Sequence, residues 1–185
     1  MIAIKKILVP TDFSNISVPA IGYAISLAKV HGGEVSVLHA LPSEVAKEHL
    51  SDPYAGGGLA APEAAPIGVP RQSNVENVFE RKNQVLHNFL EQKIATELLR
   101  AVKIKGLIRI GKVVEEIVAA AKEEQCDLIV MTSHRGRLGR LLHGSFTDRV
   151  IRRAPCPVLS IQPWAEIRME ENKRVPVNSI EKWAA

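Results

Sequence analysis

Length, composition and charge exclude several classes of protein. The 185 residues, of which 46% are hydrophobic and 24% charged, suffice for one domain with a full core and additional segments. No apolar stretch approaches the roughly 20 residues of a membrane-spanning helix, which argues against a membrane protein. The net charge of +4 is mild and does not by itself indicate a nucleic-acid-binding protein. The amino terminus lacks the features of a signal peptide, so we expect a cytoplasmic protein.

The first part of the chain predicts a strand, a helix and a second strand. Residues 4–10 predict the first strand, with an apolar centre at 7–9 and a proline at its end, and a helical pattern rich in small residues then extends to about His31. Gly32 and Gly33 are typical of a helix stop. Residues 34–41 alternate between two apolar faces and predict the second strand.

The composition changes sharply after a short helical pattern at 42–50. Residues 51–74 contain four prolines and a run of three glycines, and no periodicity persists there. This segment is interpreted as a flexible insert within one domain, because the strand and helix patterns resume after it. Long loops of this kind are either lids or disordered, and both alternatives are open.

The second half of the chain continues the alternation of helices and strands. Helical periodicity is clear at 75–101 and 113–124, and strands are predicted at 103–110, 126–131 and 158–161. The strand at 103–110 alternates basic with apolar residues, which favours a half-exposed edge. Five strands with intervening helices predict an α/β fold, a doubly wound five-stranded parallel sheet with helices on both faces.

His39, Cys126 and Cys156 are candidates for metal binding. No second metal-type residue lies near His39, so a hydrogen-bonded histidine at a strand end is favoured over a ligand. Cys126 and Cys156 are the only cysteines, and neither has a nearby cysteine or histidine at ligand spacing. Both are predicted to be buried small apolar residues, and no metal site is expected.

The loop between the last two strands has the chemistry of an anion site. It carries glycines and arginines, and Gly144 and Ser145 then open a helical stretch that two prolines end. The first turn of a helix has free backbone N–H groups and a positive dipole end, which suit phosphate. An ordinary helix cap beside a solvated basic loop is the alternative. The arginine-rich stretch 135–153 has no interleaved aromatics beyond Phe146, so nucleic-acid binding is not expected.

Four separated segments, ILVPTDFS, EVSVLHAL, CDLIVMTSHRGR and LLHGSFTDRVIRRAPCPVLSI, resemble the universal stress protein family in order and spacing. The resemblance covers residues 3–162 without the 51–74 insert. It implies the strand order 3-2-1-4-5 and a dimer. We expect a homodimer formed through the fifth strand, with the C-terminal extension as a further candidate contact. Many members bind ATP or AMP and others do not. We therefore expect an adenine-nucleotide-binding protein with a stress-response or regulatory role, or alternatively a member that acts through dimer and partner contacts.

The resemblance also implies where a nucleotide would lie. Asp12 and Val37 would lie by the base and ribose, with Gly144 and Ser145 at the phosphates. The full set of expected ligand-binding residues comprises Pro10, Thr11, Asp12, Val37, Met131, Thr132, Ser133, His134, Arg135, Gly136, Gly139, Gly144, Ser145 and Phe146. No catalytic residue is assigned, and at most slow ATP hydrolysis is expected.

The family's glycine pattern is not fully kept at this loop. Aligned on Ser133, Thr132 and Arg135 stand where the family has glycines, and the stretch before Gly144 is one residue short. A guanidinium group at Arg135 either replaces the missing backbone contacts or fills the pocket, and the sequence leaves both open.

Residues 1–162 are predicted to form the domain, and residues 163–185 an extension beyond it. The extension contains Trp164 and Trp183. Either these rings pack on the domain or on a second subunit, or the end of the extension is disordered.

Overall fold

A computed structural model describes residues 3–44, 72–133 and 146–162. Most of the predicted insert, the C-terminal extension and the short helical pattern beyond residue 44 therefore lie outside the described residues. No helix within the described ranges is long and apolar enough to cross a membrane.

Five parallel strands form one sheet in the order β3-β2-β1-β4-β5. Both the predicted number of strands and the order implied by the resemblance are confirmed. The strands are β1 (Lys6–Pro10), β2 (Glu34–Leu41), β3 (Lys103–Ile110), β4 (Leu128–Thr132) and β5 (Val158–Ile161). Because β1 lies in the centre, its carboxyl end adjoins those of β2 and β4, where open parallel sheets bind ligands.

Five α-helices lie wholly within the described residues, and Ser43 and Glu44 are also helical. They are α1 (Val18–His31), α2 (Gln72–Lys93), α3 (Thr96–Ala101), α4 (Val113–Glu123) and α5 (Phe146–Arg153). A short 3-10 turn at Asn15–Ser17 precedes α1.

The single helix predicted over 75–101 is wrong, because the structure has two helices there. The helix α2 begins at Gln72 and ends at Lys93, and the backbone of Ala95 is extended before α3 begins. Ile94 is buried in the core at the break. Burying this side chain turns the chain, so that tertiary packing prevails over a helical pattern that continues in the sequence.

The three central strands, β1, β2 and β4, are buried on both faces, as their apolar runs predict. On one face, Ile7, Val9, Val35 and Val37 pack beneath α1 and α2. On the other face, Leu8, Leu38, Ile129 and Met131 pack beneath α4 and α5. Neighbouring residues of one strand thus pack in different core clusters, since successive side chains of a strand point to opposite faces of the sheet.

Two adjacent glycines end α1 for two different reasons. Gly32 has a φ of 60°, in the left-handed region that favours glycine. At Gly33, an added Cβ would lie 2.7 Å from the carbonyl oxygen of Lys5. The helix stop predicted from these two residues is confirmed.

The outer strand β3 is an exposed edge, as its alternating pattern predicts. Its basic side chains form ion pairs with acidic residues of neighbouring elements. Lys103 Nζ lies 2.7 Å from Glu34 Oε2, and Lys105 Nζ lies 2.8 Å from Glu124 Oε1. Charged side chains of this kind discourage pairing with the edge of another sheet.

Both cysteines are free thiols. Cys126 is buried and Cys156 is half-buried, and both pack in the core cluster beneath α4 and α5. Burial raises the pKa of the Cys126 thiol to about 11 and also raises the pKa of Cys156. Protonated thiols in apolar surroundings behave as small apolar side chains, as predicted.

Candidate ligand-binding cleft

A cleft of about 430 Å³ lies at the carboxyl end of the three central strands. Its apolar walls come from Leu38 and Ala40 of β2, Ile117 of α4 and Met131 of β4, and Phe146 at the start of α5 closes one side. The polar side chains lie at the end of β1, in the turn that leads to α1. Apolar walls with a few polar groups are typical of small-molecule sites.

A larger groove of about 610 Å³ lies between α2, α3 and β3. It is farther from the carboxyl ends of the central strands, and its floor is formed by Leu86, Leu90 and Ile104. We prefer the smaller cleft as the functional site, because it combines the expected sheet edge with a dense network of buried polar groups.

Six of the expected ligand-binding residues line the cleft together. They are Pro10, Thr11, Asp12, Met131, Thr132 and Phe146. The elements that supply them are separate in the sequence, and the strand order brings them to one edge.

Two expected residues are described but do not line the cleft. The side chain of Val37 is fully buried in the core cluster beneath α1 and α2, on the other face of β2 from Leu38. The backbone N–H of Ser133 donates to the carbonyl oxygen of Ile161 at 2.8 Å, which joins this residue to β5. The remaining six expected residues, His134, Arg135, Gly136, Gly139, Gly144 and Ser145, lie outside the described residues.

Thr132 has a structural partner where the family has a glycine. Its hydroxyl donates to the carbonyl oxygen of Ile16 at 2.9 Å. This bond joins the end of β4 to the turn that precedes α1, across the cleft mouth. The threonine side chain therefore stabilises the frame of the cleft.

We call residues 11–17 the strand-end turn. The backbone N–H of Phe13 donates to Thr11 Oγ1 at 3.0 Å. The hydroxyl of Ser17 donates to the carbonyl oxygen of Ser14 at 2.8 Å, and the hydroxyls of Thr11 and Ser17 lie 2.8 Å apart. Since the Ser17 proton is already used, the Thr11 hydroxyl is the donor in this pair. Thr11 and Ser17 are both buried, so each hydroxyl needs the partner that it has.

Asp12 is the exposed carboxylate of the strand-end turn. One of its oxygens, Oδ1, accepts hydrogen bonds from the backbone N–H of Ser14 at 3.0 Å and from the Ser14 hydroxyl at 2.6 Å. These two bonds fix the orientation of the carboxylate at the cleft mouth. A carboxylate held in this way is suited to accept hydrogen bonds from ligand hydroxyl groups.

His39 joins the strand-end turn to β2, and the prediction of a hydrogen-bonded strand-end histidine is confirmed. Its Nδ1 lies 2.9 Å from the carbonyl oxygen of Thr11. Because a carbonyl oxygen only accepts, Nδ1 carries the proton. Burial lowers the pKa of His39, although the hydrogen bond to Thr11 acts in the opposite direction.

An aromatic stack supports the strand-end turn from the core side, and the sequence did not indicate it. The rings of Phe13 and His39 are stacked with centroids 4.1 Å apart, and Phe89 of α2 meets Phe13 edge-on at 5.7 Å. The aromatic residue after Thr11-Asp12 is the only local signal for this contact. Among the described residues, no group of three histidine, cysteine or acidic side chains could hold a metal ion.

Comparison with known proteins identifies the family. Residues 3–162 match the Universal stress protein family. The chain belongs to this family. Universal stress protein MJ0531 of Methanocaldococcus jannaschii is 32% identical over 161 residues, which cover 85% of this chain and 82% of the relative. Universal stress protein MJ0577 of the same organism is 30% identical over 168 residues, covering 85% of this chain and 94% of the relative.

Solved structures share the fold of this universal stress protein. The structure of MJ0577 covers 87% of this chain and 97% of its own, with a TM-score of 0.60 and 28% identity. A universal stress protein in complex with cAMP covers 88% of this chain and 99% of its own, with a TM-score of 0.58 and 20% identity. The family and the fold are therefore established, and the cleft lies at the expected edge of the sheet.

Proposed function

We propose that this universal stress protein is a cytoplasmic protein that binds an adenine nucleotide, ATP or AMP, in a stress-response or regulatory role. The cleft at the carboxyl end of the central strands carries the proposal. Its volume of about 430 Å³ lies within the usual range of small-ligand sites, roughly 300–1,000 Å³.

The two sides of the cleft suit the two parts of a nucleotide. Leu38, Ile117 and Met131 offer an apolar surface to a flat base. Asp12 offers a fixed carboxylate oxygen to the ribose hydroxyls, a pairing that other nucleotide-binding sheets use. The helix α5 begins at the cleft with Phe146, and its first turn is suited to phosphate.

The structure with cAMP supports the same ligand class. That protein shares the fold and binds an adenine nucleotide. At 20% identity the likeness extends to the fold alone, so the argument for this chain depends on its own cleft.

Calorimetric titration of the full chain with ATP and with AMP tests the proposal. We expect saturable binding, and we expect Asp12→Asn to weaken it by about tenfold or more, because a hydrogen bond to a charged group is lost. Asp127→Asn is the matched control, since this carboxylate accepts the N–H groups of Lys5 and Lys6 away from the cleft. Absence of heat with both nucleotides would overturn the proposal.

A second candidate function, action through subunit and partner contacts, is suggested by exposed apolar side chains along β5, the outer strand opposite β3. Leu159 of β5 is 37% exposed and Ile151 of α5 is 48% exposed. This surface favours a homodimer formed through β5. A member of this kind acts through subunit and partner contacts. Leu159→Glu is expected to shift the chain to the monomer in analytical ultracentrifugation, and an unchanged mass would contradict the homodimer.

A further inference from the structure

The strand-end turn is attached to β2 by a backbone hydrogen bond, from the N–H of Thr11 to the carbonyl oxygen of Leu38 at 2.8 Å, and by the side chain of His39. His39 donates a hydrogen bond to the carbonyl oxygen of Thr11 and stacks on the ring of Phe13. The residue between them in the chain is Asp12, the carboxylate at the cleft mouth. His39 therefore fixes the backbone on both sides of Asp12.

The backbone of Phe13 requires such support. Its φ of 64° is in the left-handed region, which costs an ordinary residue roughly 1–3 kcal/mol. The ring lies between His39 and Phe89, and the N–H of Phe13 donates to Thr11 Oγ1. These contacts hold a conformation that the chain would otherwise leave.

The charges around His39 determine which protonation state fits this arrangement. The hydrogen bond to Thr11 and, to a smaller extent, Asp12 on the turn favour the charged ring, whereas Lys82 on α2 opposes it. Burial is the largest effect and also opposes the charged ring, so that the pKa lies below its ordinary value of about 6.5. At neutral pH the ring is uncharged and donates through Nδ1.

We propose that His39 is a positioning residue of the nucleotide cleft, whose neutral ring holds the strand-end turn in its binding conformation and whose protonation releases it. The inference rests on the proposed function, because it concerns the same cleft. On protonation, the half-buried ring carries a charge that is poorly solvated and repelled by Lys82. The charged ring is drawn toward solvent, which separates it from Phe13 and strains its bond to Thr11, although that bond alone favours the charged ring.

The direction of the pH dependence follows from this order of events. The folded arrangement with a neutral ring is fully populated above the ordinary histidine pKa. It is lost as the pH falls below about 6.5 and through the lowered pKa of His39. Nucleotide affinity is therefore expected to fall as the solution becomes acidic.

Calorimetric titration of the full chain with AMP between pH 8 and pH 5 tests the inference with two variants. In His39→Asn, the amide N–H replaces the Nδ1 donor and does not titrate, so its pH profile is expected to be flatter than that of the parent. In His39→Phe, the stack remains but the donor is absent, and we expect about tenfold weaker binding at pH 7.5. Because the phosphate of AMP titrates in the same range, the profiles are compared between variants.

His87→Asn is the matched control. His87 is an exposed histidine on α2 that pairs with Glu91 at 3.4 Å, and its replacement should leave the profile of the parent unchanged. If AMP binds but both His39 variants retain the pH profile of the parent, the inference is wrong and the proposed function stands.

A readout without nucleotide separates the two proposals. In nuclear magnetic resonance titrations of the unmodified chain, the backbone amide of Phe13 should shift with the same midpoint as the ring of His39. If AMP does not bind at any pH, the proposed function fails. If the Phe13 amide does not follow the His39 ring, the inference fails whatever AMP does.

Discussion

The strand-end turn and the outer strand β3 are both rich in polar side chains, but they use them differently. In the turn, Thr11 and Ser17 are buried and their hydroxyls bond to each other and to the backbone. Along β3, Lys103 and Lys105 lie in water and pair with Glu34 and Glu124. The polar composition of the two segments does not reveal this difference, because only the fold determines which polar groups are buried.

Burial determines how much each polar group matters for stability. An exposed ion pair contributes typically about 0–1 kcal/mol, because water competes and salt screens it. Removing one partner of a buried hydrogen bond costs about 1–3 kcal/mol, because the remaining group has no water to replace it. Substitutions in the strand-end turn should therefore lower the free energy of unfolding clearly more than substitutions along β3.

The largest expected effect comes from the cleft wall. Leu38 and Leu107 are partners on β2 and β3, but Leu38 is fully buried and Leu107 is half-buried. Leu38→Ala should lower the free energy of unfolding by about 2–5 kcal/mol through lost burial and a cavity. Leu107→Ala should cost clearly less, as measured by urea denaturation. Equal losses would show that the outer strand is as tightly packed as the centre.

A single hydroxyl in the strand-end turn has the next largest effect. Thr11→Val keeps the side-chain shape but removes the donor to Ser17 and the acceptor of the Phe13 N–H. We expect a loss of about 1–3 kcal/mol in the free energy of unfolding.

The control for this substitution is another buried threonine. The Oγ1 of Thr147 has no hydrogen-bond partner in the described part of the chain. Thr147→Val should therefore be neutral or slightly stabilising by the same denaturation assay. If Thr11→Val and Thr147→Val changed the free energy of unfolding equally, the hydrogen bonds of Thr11 would not stabilise the protein.

At the outer strand, the pair of Lys105 with Glu124 should contribute little. The two side chains are 49% and 26% exposed. Lys105→Met is expected to change the free energy of unfolding by less than about 1 kcal/mol, and the change should shrink as salt is added. If Lys105→Met lowered the free energy of unfolding as much as Thr11→Val, exposed ion pairs would matter as much as buried hydrogen bonds, and the comparison would be wrong.

The smallest effect on stability is expected at Lys103, whose side chain is 77% exposed. Its hydrogen bond is the main cause of the lowered pKa of Glu34. In Lys103→Met, that pKa should return toward its ordinary value in an NMR titration. The pair contributes above the ordinary carboxyl pKa of about 4.3, and its contribution is lost as the pH falls through the lowered pKa of Glu34. The parent and the variant should therefore be equally stable in acid, and a difference that persists there would exclude the pair as its cause.

Most of the fold could be predicted because its signals are local. The strands β2, β3 and β5 have the predicted bounds, since their apolar patterns are interrupted by glycine, proline or charge. The fourth strand begins at Leu128, two residues after the predicted start. The N–H of Cys126 instead donates to the carbonyl oxygen of Ala121 and closes the end of α4.

The site was only partly predictable, because its bonds join distant parts of the chain. Thr11 and Asp12 were expected from their place after β1, and both line the cleft. The bond from His39 to Thr11 depends on the register of β1 with β2, which no local pattern specifies. The same is true of Thr132, whose side chain stood out against the family's glycine and whose partner, Ile16, comes from the other end of the domain.

The central position of β1 has a consequence for how the chain matures. This strand is made first, yet Ile7 pairs with both Val35 and Leu128. During synthesis, the backbone groups on one side of β1 have no partner strand until β4 has left the ribosome. An unpaired apolar strand edge of this kind is prone to aggregation. A protein with these long-range pairings should fold slowly for its size, and fragments that end before β4 should be recovered as aggregates.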